Sequence, residues 1–304
     1  MLVNKFLDFY LRENVSYIQG ESTIRELKKG FSLDRKYVID ETYLLKVCSN
    51  QDLERKKQEF QVLKTALDYS NSVPKGLEFN SFHNFGLSYM VVTYLPGKDA
   101  EEALPELTVA EQYNSGFIAG LELKKLHQIH APDNYPSWYS TKKKKSANYL
   151  EQFQQLDISK KLKDILTTYI TEHEHLMKHR PNRFQHDDFH PSNILIHNRT
   201  FSGIIDFGRM DWGDPIHDFQ KLGFFSKPVS IPFTRGIIDG YHENEKIDES
   251  FWRLFTLYSA MHIVSALVWG KNRSEEQYQL MLKKSLEVVD DHDSFQRVVP
   301  KWYN

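Results

Sequence analysis

In the first third of the chain, short apolar runs alternate with turn-forming residues. Three such runs are separated by glycine and acidic turn residues, which predicts short strands at residues 24–27, 36–39 and 43–48. Phe60, Leu63 and Leu67 then recur at spacings of three and four, so a helix is predicted at about residues 52–69. Two further strands complete this part of the chain, near residues 76–80 and 86–94.

The Leu-Pro-Gly-Lys stretch at residues 95–98 interrupts regular structure. Beyond it, apolar residues recur with a helical period, and helices are predicted at about 108–130, 139–154, 158–178, 215–223, 232–242, 249–269 and 274–290. Two apolar runs, at 194–197 and 203–205, flank a turn and predict a hairpin. The order predicts an α+β protein with a small β-rich lobe, a hinge and a larger helical lobe, at residues 1–94, 95–98 and 99–304.

Composition excludes several classes of protein. The 304 residues carry a net charge of −2 without a pronounced basic stripe, so nothing favours nucleic-acid binding. Charged residues interrupt the first apolar run, and no run approaches the roughly 18 apolar residues of a membrane span. We therefore expect a cytoplasmic protein without a membrane partner. Cys48 is the single cysteine, which excludes an intrachain disulfide and a cysteine-built zinc site.

One charged run stands out in the helical part. Four consecutive lysines occupy residues 142–145. The expected interpretation is a solvated helix end, and the alternative is a site for a phosphate or an acidic partner.

The densest polar cluster is His-Asp-Asp-Phe-His-Pro-Ser-Asn at residues 186–193. Thirteen residues after Asn193, and directly after an apolar run, comes Asp-Phe-Gly at residues 206–208. The two motifs, separated by a hairpin, together resemble the catalytic and metal-binding loops of the protein kinase superfamily.

Phosphoryl transfer explains the spacing of these motifs. The reaction needs a carboxylate beside the acceptor hydroxyl and oxygen ligands for a magnesium ion that bridges the phosphates. We expect Asp188 to orient and deprotonate the hydroxyl, and Asn193 and Asp206 to bind Mg²⁺. His186, which begins the catalytic loop, is expected to brace the loop through hydrogen bonds.

Two other interpretations of the cluster remain. The first is a pair of polar turns around a hairpin, without a function. The second is a metal-dependent hydrolase site with the ligands His186, Asp188, His190, His173 and His175. The hydrolase interpretation leaves Asn193 and Asp206 without a role.

On the nucleotide side, Lys46 lies in a predicted strand between apolar neighbours. A lysine in such a strand is unfavourable unless it has an anionic partner. The resemblance to kinases implies that the partners are the α- and β-phosphates and a helix glutamate. Glu59 is the first candidate and Glu54 the second, although Glu59 could also be an exposed helix carboxylate.

Two more segments are expected to bind the nucleotide. Gly30 and Ser32 lie between the first two strands, where a phosphate-covering loop belongs, although the segment has one glycine where protein kinases have three. Thr93 and Leu95 are expected to present backbone groups to the purine, with Val92 at the back of the pocket. Because a valine leaves space there, the sequence does not separate ATP from GTP.

The chain departs from the protein kinase pattern in its catalytic loop, which reads His-Asp-Asp in place of His-Arg-Asp, and no Ala-Pro-Glu follows. Instead, Gly-Asp-Pro-Ile-His-Asp at residues 213–218 and the Gly116–Gly120 segment resemble the aminoglycoside phosphotransferases and their choline, homoserine and macrolide kinase relatives. The resemblance spans about residues 20–270. It implies a bilobal protein-kinase-like fold, Mg²⁺ as cofactor and ATP or GTP as co-substrate. It also implies that Asp214 and Asp218 brace the loop after the metal site by accepting backbone N–H bonds.

The resemblance further implies an acceptor hydroxyl on an aminoglycoside-like antibiotic or a similar metabolite, bound between Asp188 and the helices from residue 215 onward. Carboxylates in this region would attract a polycation, namely Asp211, Glu243, Glu245, Asp248 and Glu249. Aromatic residues there would suit a macrolide or a quaternary ammonium, although Trp252, Phe255, Tyr258 and His262 also have the spacing of a packed helical stripe. Macrolides and housekeeping metabolites therefore stay open, and a monomer or weak dimer is expected.

Two further function classes are less well supported by the sequence. A protein kinase would need an activation segment, which is missing. A pseudokinase usually lacks at least one catalytic residue, whereas Lys46, Asp188, Asn193 and Asp206 are all present.

Overall fold

The computed structural model describes residues 11–28, 34–82 and 85–303. The chain divides into two compact units, residues 1–96 and 97–304. The division falls inside the predicted hinge, while the functional roles of the two lobes stay a prediction. Gly30 and Ser32 lie outside the described residues.

Five antiparallel strands form the sheet of the first unit. They are β1 (Ile24–Leu27), β2 (Arg35–Ile39), β3 (Tyr43–Ser49), β4 (Gly76–Phe82) and β5 (Leu87–Thr93), in the order β1-β2-β3-β5-β4. Helix α1 (Leu53–Ala66) connects β3 to β4. The predicted strands and helix are thereby confirmed, with bounds that differ by a few residues.

Alternation along β3 decides which side chains reach the core of this unit. Leu45 and Val47 belong to one buried cluster with Leu11 and Val15, which precede the sheet. Because successive side chains of a strand point to opposite faces, Lys46 lies on the face away from that cluster. Lys46 therefore lies on the other face of β3, where its charge requires an anionic partner.

The second unit is mostly helical. Its α-helices are α2 (Ala100–Ala103), α3 (Val109–Leu126), α4 (Trp138–Gln154), α5 (Lys160–His173), α6 (Ile231–Tyr241), α7 (Glu249–Arg273) and α8 (Glu275–Asp291). The sequence specifies some ends locally: at the start of α3, the Thr108 hydroxyl accepts from the Glu111 N–H, and the Glu111 carboxylate accepts from the Thr108 N–H.

Short strands hold the catalytic segment of the second unit in place. The strands are β6 (Lys98–Asp99), β7 (Arg183–Gln185), β8 (Ile194–His197), β9 (Thr200–Ile204) and β10 (Asp211–Gly213). β8 pairs with β6 and β9, and β7 pairs with β10. The β8–β9 hairpin was predicted, whereas β6, β7 and β10 are too short to show a period.

One predicted helix has a different geometry. The segment predicted as a helix at 215–223 is a 3-10 helix, Pro215–Lys221, followed by a π-helical turn, Leu222–Ser226. Pro215 begins it, and the Asp214 side chain accepts from the Ile216 N–H. Both are start signals that do not distinguish a 3-10 helix from an α-helix.

Helices α3 and α6 approach each other through glycines. A Cβ atom at Gly120 would lie 2.1 Å from the Ile237 carbonyl oxygen, and one at Gly240 would lie 2.0 Å from the Phe117 carbonyl oxygen. Gly116 and Gly236 face equally close backbone atoms of the opposite helix. The two helix backbones are therefore in direct contact, which no larger residue permits at these positions.

Among the described helices, α7 is long and apolar enough to cross a membrane by length and composition. This differs from the sequence-based expectation that no stretch would qualify. However, 89% of its most apolar window is buried inside the protein, as in the core helix of a soluble protein.

Candidate active site

The loop at residues 186–193 connects β7 to β8, and its last turn is the 3-10 helix Pro191–Asn193. The Ile205 N–H donates to the Asn193 carbonyl at 2.9 Å. This bond places the end of the loop beside the segment that begins with Asp206. The structure thus brings together the two motifs that the sequence separates by a hairpin.

Asp218 braces the start of the loop. Its two carboxylate oxygens accept from the His186 N–H and the Asp187 N–H, both at 2.7 Å. Nε2 of His127 lies 3.0 Å from one of the same oxygens. Asp218 is 1% exposed, so its charge is offset by these hydrogen bonds. Asp218 therefore has a structural role, as predicted, but it braces the catalytic loop and not the loop after the metal site.

Asp214 braces the following segment. It forms two 2.8 Å bonds with the Arg180 guanidinium, and it accepts from the Ile216 N–H at 3.1 Å and from the Tyr258 hydroxyl at 2.7 Å. A fully buried carboxylate with four donors is structural. The fold role predicted for Asp214 is therefore confirmed as well.

His186 is also buried within this framework. Its Nε2 lies 2.9 Å from the Ile205 carbonyl, and its Nδ1 accepts from the Asp188 N–H at 3.3 Å. Burial lowers the pKa of His186, although nearby carboxylates act in the opposite direction. A neutral ring with Nε2–H and an accepting Nδ1 satisfies both bonds. His186 thus braces the loop, as predicted, and its ring does not reach solvent.

Asp188 is a half-buried carboxylate of the loop. Its Oδ1 accepts from the Lys221 ammonium and lies 3.4 Å from His190 Nε2, while its Oδ2 lies 3.6 Å from Arg209 Nε. Burial alone would raise the pKa of Asp188. The hydrogen bond from His190 and the charges of Lys221 and His190 outweigh burial and hold this pKa below its usual range. Asp188 is therefore ionised, the state in which a carboxyl group can take a proton.

Asn193 and Asp206 offer the oxygen atoms expected for magnesium. The Asn193 amide nitrogen donates to the Asp188 carbonyl at 2.9 Å, which orients the amide and leaves its oxygen without a donor among the described residues. Asp206 follows β9 with a φ of 64°, in the left-handed region. Non-glycine residues held there often serve a function. An amide oxygen and a carboxylate are hard ligands, so this pair fits Mg²⁺.

The hydrolase interpretation is not supported. Within residues 11–28, 34–82 and 85–303, there is no group of three or more His, Cys, Asp or Glu side chains that could hold a metal ion. His186 instead bonds to a backbone carbonyl. The proposed ligand set of His186, Asp188 and His190 therefore does not form.

In the first unit, Lys46 is paired with Glu59. Its Nζ lies 2.8 Å from Glu59 Oε1, and the two residues are 7% and 1% exposed. Glu59 is thus not an exposed helix carboxylate. The second candidate, Glu54, instead bonds to Lys57 on the surface of α1. The predicted pairing is confirmed, while the role of the pair in nucleotide binding stays a prediction.

The predicted purine-binding residues lie at the end of β5. Val92 is buried, and Thr93 and Leu95 are half-buried. The Thr93 N–H donates to the Lys75 carbonyl at 3.0 Å, so this N–H is already satisfied within the first unit. Any contact of Thr93 with a purine would use its carbonyl oxygen.

The candidate acceptor residues separate into two groups. Trp252, Phe255, Tyr258 and His262 are 0–8% exposed and form the packed stripe that their spacing predicts. The acidic residues Glu243, Glu245, Asp248 and Glu249 are exposed. The stripe therefore belongs mainly to the core, and the exposed carboxylates stay available.

Several residues beside Asp188 were missed or misinterpreted from the sequence. Lys221 was not singled out, and Lys142 was expected to be solvated with its three lysine neighbours. Lys142 lies within α4 and is 9% exposed, whereas Lys144 on the same helix is exposed. Its position one helical turn from Trp138 was the one local signal, since a run of identical residues hides which member faces inward.

The chain belongs to the phosphotransferase enzyme family, whose model matches residues 23–255. The protein is a phosphotransferase that acts on a hydroxyl group, as the sequence predicted. Among curated proteins, no sequence matches this chain significantly.

Solved structures with the same fold include several aminoglycoside phosphotransferases. The GDP complex of wild-type aminoglycoside 2'-phosphotransferase-IIIa is 18% identical, with a TM-score of 0.71 over 94% of this chain and 97% of that chain. The GDP and kanamycin complex of APH(2")-IIia is 16% identical, with a TM-score of 0.74 over 94% and 99%. The streptomycin–ATP ternary complex of APH(2")-IIa is 18% identical, with a TM-score of 0.66 over 93% and 95%. The protein-kinase-like fold of this family is thus confirmed.

Proposed function

We propose that this protein is a small-molecule kinase that transfers the γ-phosphoryl group of ATP or GTP to a hydroxyl of an aminoglycoside-like antibiotic or a similar metabolite. The observation that carries the proposal is the joint geometry of Asp188 and Asn193. The Asn193 amide donates to the Asp188 carbonyl, so one loop presents an ionised carboxylate and an oriented amide oxygen. Kinases use such a carboxylate for the acceptor hydroxyl and such an amide oxygen for the metal ion.

In the proposed reaction, Asp188 accepts the hydrogen bond of the acceptor hydroxyl and then its proton. The acceptor oxygen bonds to the γ-phosphorus, and the bond from that phosphorus to the β–γ bridging oxygen breaks, which releases ADP or GDP. Asn193 and Asp206 would hold Mg²⁺, which supplies positive charge to the phosphates when bound. His186 keeps the loop in place through the Ile205 carbonyl.

The first unit supplies the proposed nucleotide contacts. Lys46, held by Glu59 at 2.8 Å, would bind the phosphates. Val92 would border the purine, and backbone groups at Thr93 and Leu95 would bind its edge. Gly30 and Ser32 would cover the phosphates.

Aminoglycosides are the first acceptor class to test, because solved structures of the same fold include complexes with kanamycin, streptomycin and gentamicin. The exposed carboxylates of residues 243–249 support this choice, since they would attract a polycation. The biological role of such an enzyme would be antibiotic resistance. The enzyme would act in the cytoplasm as a monomer or weak dimer.

The charges beside Asp188 favour a second candidate. Lys221 and Arg209 lie beside its carboxylate, and a polycation bound there would meet like charges. A neutral or anionic hydroxylated metabolite would avoid that repulsion. A housekeeping metabolite kinase is therefore the alternative function.

A coupled assay of ADP and GDP release tests both candidates. The acceptors are kanamycin, streptomycin, a macrolide, choline, homoserine and neutral or acidic sugars, each with ATP and with GTP. We expect acceptor-dependent release with at least one of them, abolished by excess chelator. Release that persists without free Mg²⁺, or no release with any acceptor, would contradict the proposed chemistry.

A further inference from the structure

A chain of mostly buried polar side chains connects helix α4 to the catalytic loop. It contains Lys142 of α4, His217 and Lys221 of the 3-10 helix Pro215–Lys221, and Asp187 and Asp188 of the loop. None of these residues belongs to the proposed magnesium ligands. We call this set the Lys142–Asp188 chain.

The first link of the chain joins Lys142 to His217. Nζ of Lys142 lies 2.5 Å from His217 Nε2 and 5.4 Å from the centroid of the Trp138 ring. Burial lowers the pKa of Lys142 to about 7. The imidazole of His217 packs edge-on against the Trp138 and Tyr258 rings, with centroids 4.9 and 5.1 Å away. The position of His217 is therefore fixed by packing as well as by Lys142.

The second link joins His217 to Asp187. Nδ1 of His217 lies 3.2 Å from Asp187 Oδ1, and the Gln220 amide donates to the same oxygen at 3.3 Å. A neutral imidazole that donates from Nδ1 to Asp187 and accepts at Nε2 from the Lys142 ammonium satisfies both bonds. The order of donors thus runs from Lys142 through His217 to Asp187.

The third link joins Asp187 to Asp188 through Lys221. The Lys221 ammonium donates to the Asp187 carbonyl at 2.9 Å and also to the Asp188 carboxylate. Lys221 is 7% exposed. One ammonium therefore bonds both to the backbone of the loop and to the side chain of the proposed base.

Asp187 itself has a demanding backbone conformation, with a φ of 55° in the left-handed region. Its N–H donates to Asp218, and its side chain is held by His217 and Gln220. Asp218 therefore fixes the backbone of this residue, while the Lys142–Asp188 chain fixes its side chain and carbonyl. A strained backbone conformation persists when several surrounding contacts hold it in place, and such residues cluster at functional sites.

Packing alone does not account for the chain. Lysine is almost never fully buried unless it is paired, and burying an ammonium is unfavourable compared with an apolar side chain of similar size. Here two lysines of the second unit are more than nine-tenths buried, and the chain they form ends on Asp188. The buried lysines thus lead to the carboxylate of Asp188, the proposed base.

We propose that Lys221 is a positioning residue that fixes the Asp188 carboxylate for the acceptor hydroxyl, and that Lys142 supports it through His217 and Asp187. This inference rests on the proposed function, because it assigns Asp188 to the acceptor. It extends that function by naming the side chain that orients the Asp188 carboxylate, whereas Asn193 bonds to the Asp188 backbone carbonyl. The inference also assigns a role to Asp187, which stands where protein kinases have arginine. Asp187 connects His217 to the catalytic loop.

The variants Lys221→Met and Lys142→Met test the proposal, and Lys144→Met is the matched control on the exposed side of α4. The substrates are the best acceptor of the wild-type enzyme, starting with kanamycin, and its preferred nucleotide. A misplaced reacting group lowers turnover by about 100-fold, so we expect kcat to fall about 100-fold for Lys221→Met and about 10-fold for Lys142→Met. The KM of the nucleotide should stay unchanged in all three, and Lys144→Met should match the wild type.

The outcomes separate this inference from the proposed function. A wild-type enzyme that phosphorylates no acceptor contradicts the proposed function. An active wild type with unchanged kcat in Lys221→Met, or an equal loss in kcat and nucleotide affinity, overturns the positioning role.

A crystal structure of Lys221→Met gives a second test that needs no acceptor and shows whether the variant folds. We expect the Asp188 carboxylate to turn towards His190 or Arg209. An Asp188 side chain in its original position would overturn the proposal.

Discussion

Nζ of Lys46 and Oε1 of Glu59 form a 2.8 Å ion pair whose side chains are 8% and 1% exposed. Lys56 adds a second cation, with its Nζ 3.5 Å from Glu59 Oε2. Removing one member of such a pair leaves an uncompensated buried charge. The pair therefore orients the Lys46 ammonium on the face of β3 opposite the hydrophobic core.

We expect Lys46→Met to lower kcat/KM for the nucleotide by about 100-fold, because the variant loses a positive charge that stabilises the phosphates in the transition state. Lys57→Met is the control, since Lys57 pairs with Glu54 on the exposed side of α1. Steady-state kinetics with varied ATP measures the effect. An equal, small effect of both variants would remove Lys46 from the nucleotide site.

The contact between α3 and α6 leads to a prediction about stability. In Gly120→Ala, the new methyl group would lie 2.1 Å from the Ile237 carbonyl oxygen. Since that atom belongs to a helix backbone and cannot rotate away, we expect the free energy of unfolding to fall by about 3 kcal/mol, the upper end of the usual range for overpacking. Urea unfolding followed by circular dichroism measures it.

Gly223→Ala is the control for this prediction. A Cβ atom at Gly223 would meet Val288 at 3.6 Å, an ordinary contact. Its effect should stay within about 1 kcal/mol. If Gly120→Ala lowered the free energy of unfolding as little as Gly223→Ala, the described backbone contact between α3 and α6 would be contradicted.

A buried histidine makes stability depend on pH. His292, at the end of α8, is 1% exposed, and its Nδ1 donates to the Arg297 carbonyl at 2.8 Å. Burial lowers its pKa to about 4, below the unfolded value of about 6.5. The folded state therefore binds fewer protons than the unfolded state between these values, and stability falls as the pH falls through this window.

We expect this group to remove about 2 kcal/mol from the free energy of unfolding at pH 5 relative to pH 7.5. The His292→Gln variant cannot gain this proton. Its free energy of unfolding should therefore decrease by about 2 kcal/mol less than that of the wild type between pH 7.5 and pH 5. Urea unfolding of both proteins at the two pH values gives the comparison. An identical pH dependence of variant and wild type would contradict the burial of His292.

Much of the fold follows from local sequence patterns. The strands β1 to β5 and most long helices have a clear period, so their existence was predicted with bounds off by a few residues. The strands β6, β7 and β10 have two or three residues and depend on partners distant in sequence. The 3-10 helix Pro215–Lys221 has the start signals of an α-helix. Its geometry instead depends on tertiary contacts, such as that of Asp218 with the catalytic loop.

In the candidate site, too, some residues could be predicted from the sequence and others could not. Asp188, Asn193 and Asp206 lie in motifs whose spacing is diagnostic, and Asp214 and Asp218 could be assigned to bracing because their motif follows directly. Lys221 and Lys142 were not identified, because their contacts with Asp188 and His217 span 33 and 75 residues. Apart from the spacing of Lys142 from Trp138, no local pattern marks either lysine as buried, so their contacts become visible only in the folded structure.

The central claim is that Asp188 acts directly on the acceptor hydroxyl. Asp188→Asn keeps the size of the side chain and removes the charge that Lys221 and His190 face. Loss of a positioned general base lowers turnover by about 10²–10⁴-fold. Single-turnover phosphoryl transfer by Asp188→Asn, with nucleotide binding measured in parallel, is therefore the most direct test. We predict a rate reduced by that factor with an unchanged nucleotide Kd, and transfer at the wild-type rate would contradict the assignment of Asp188.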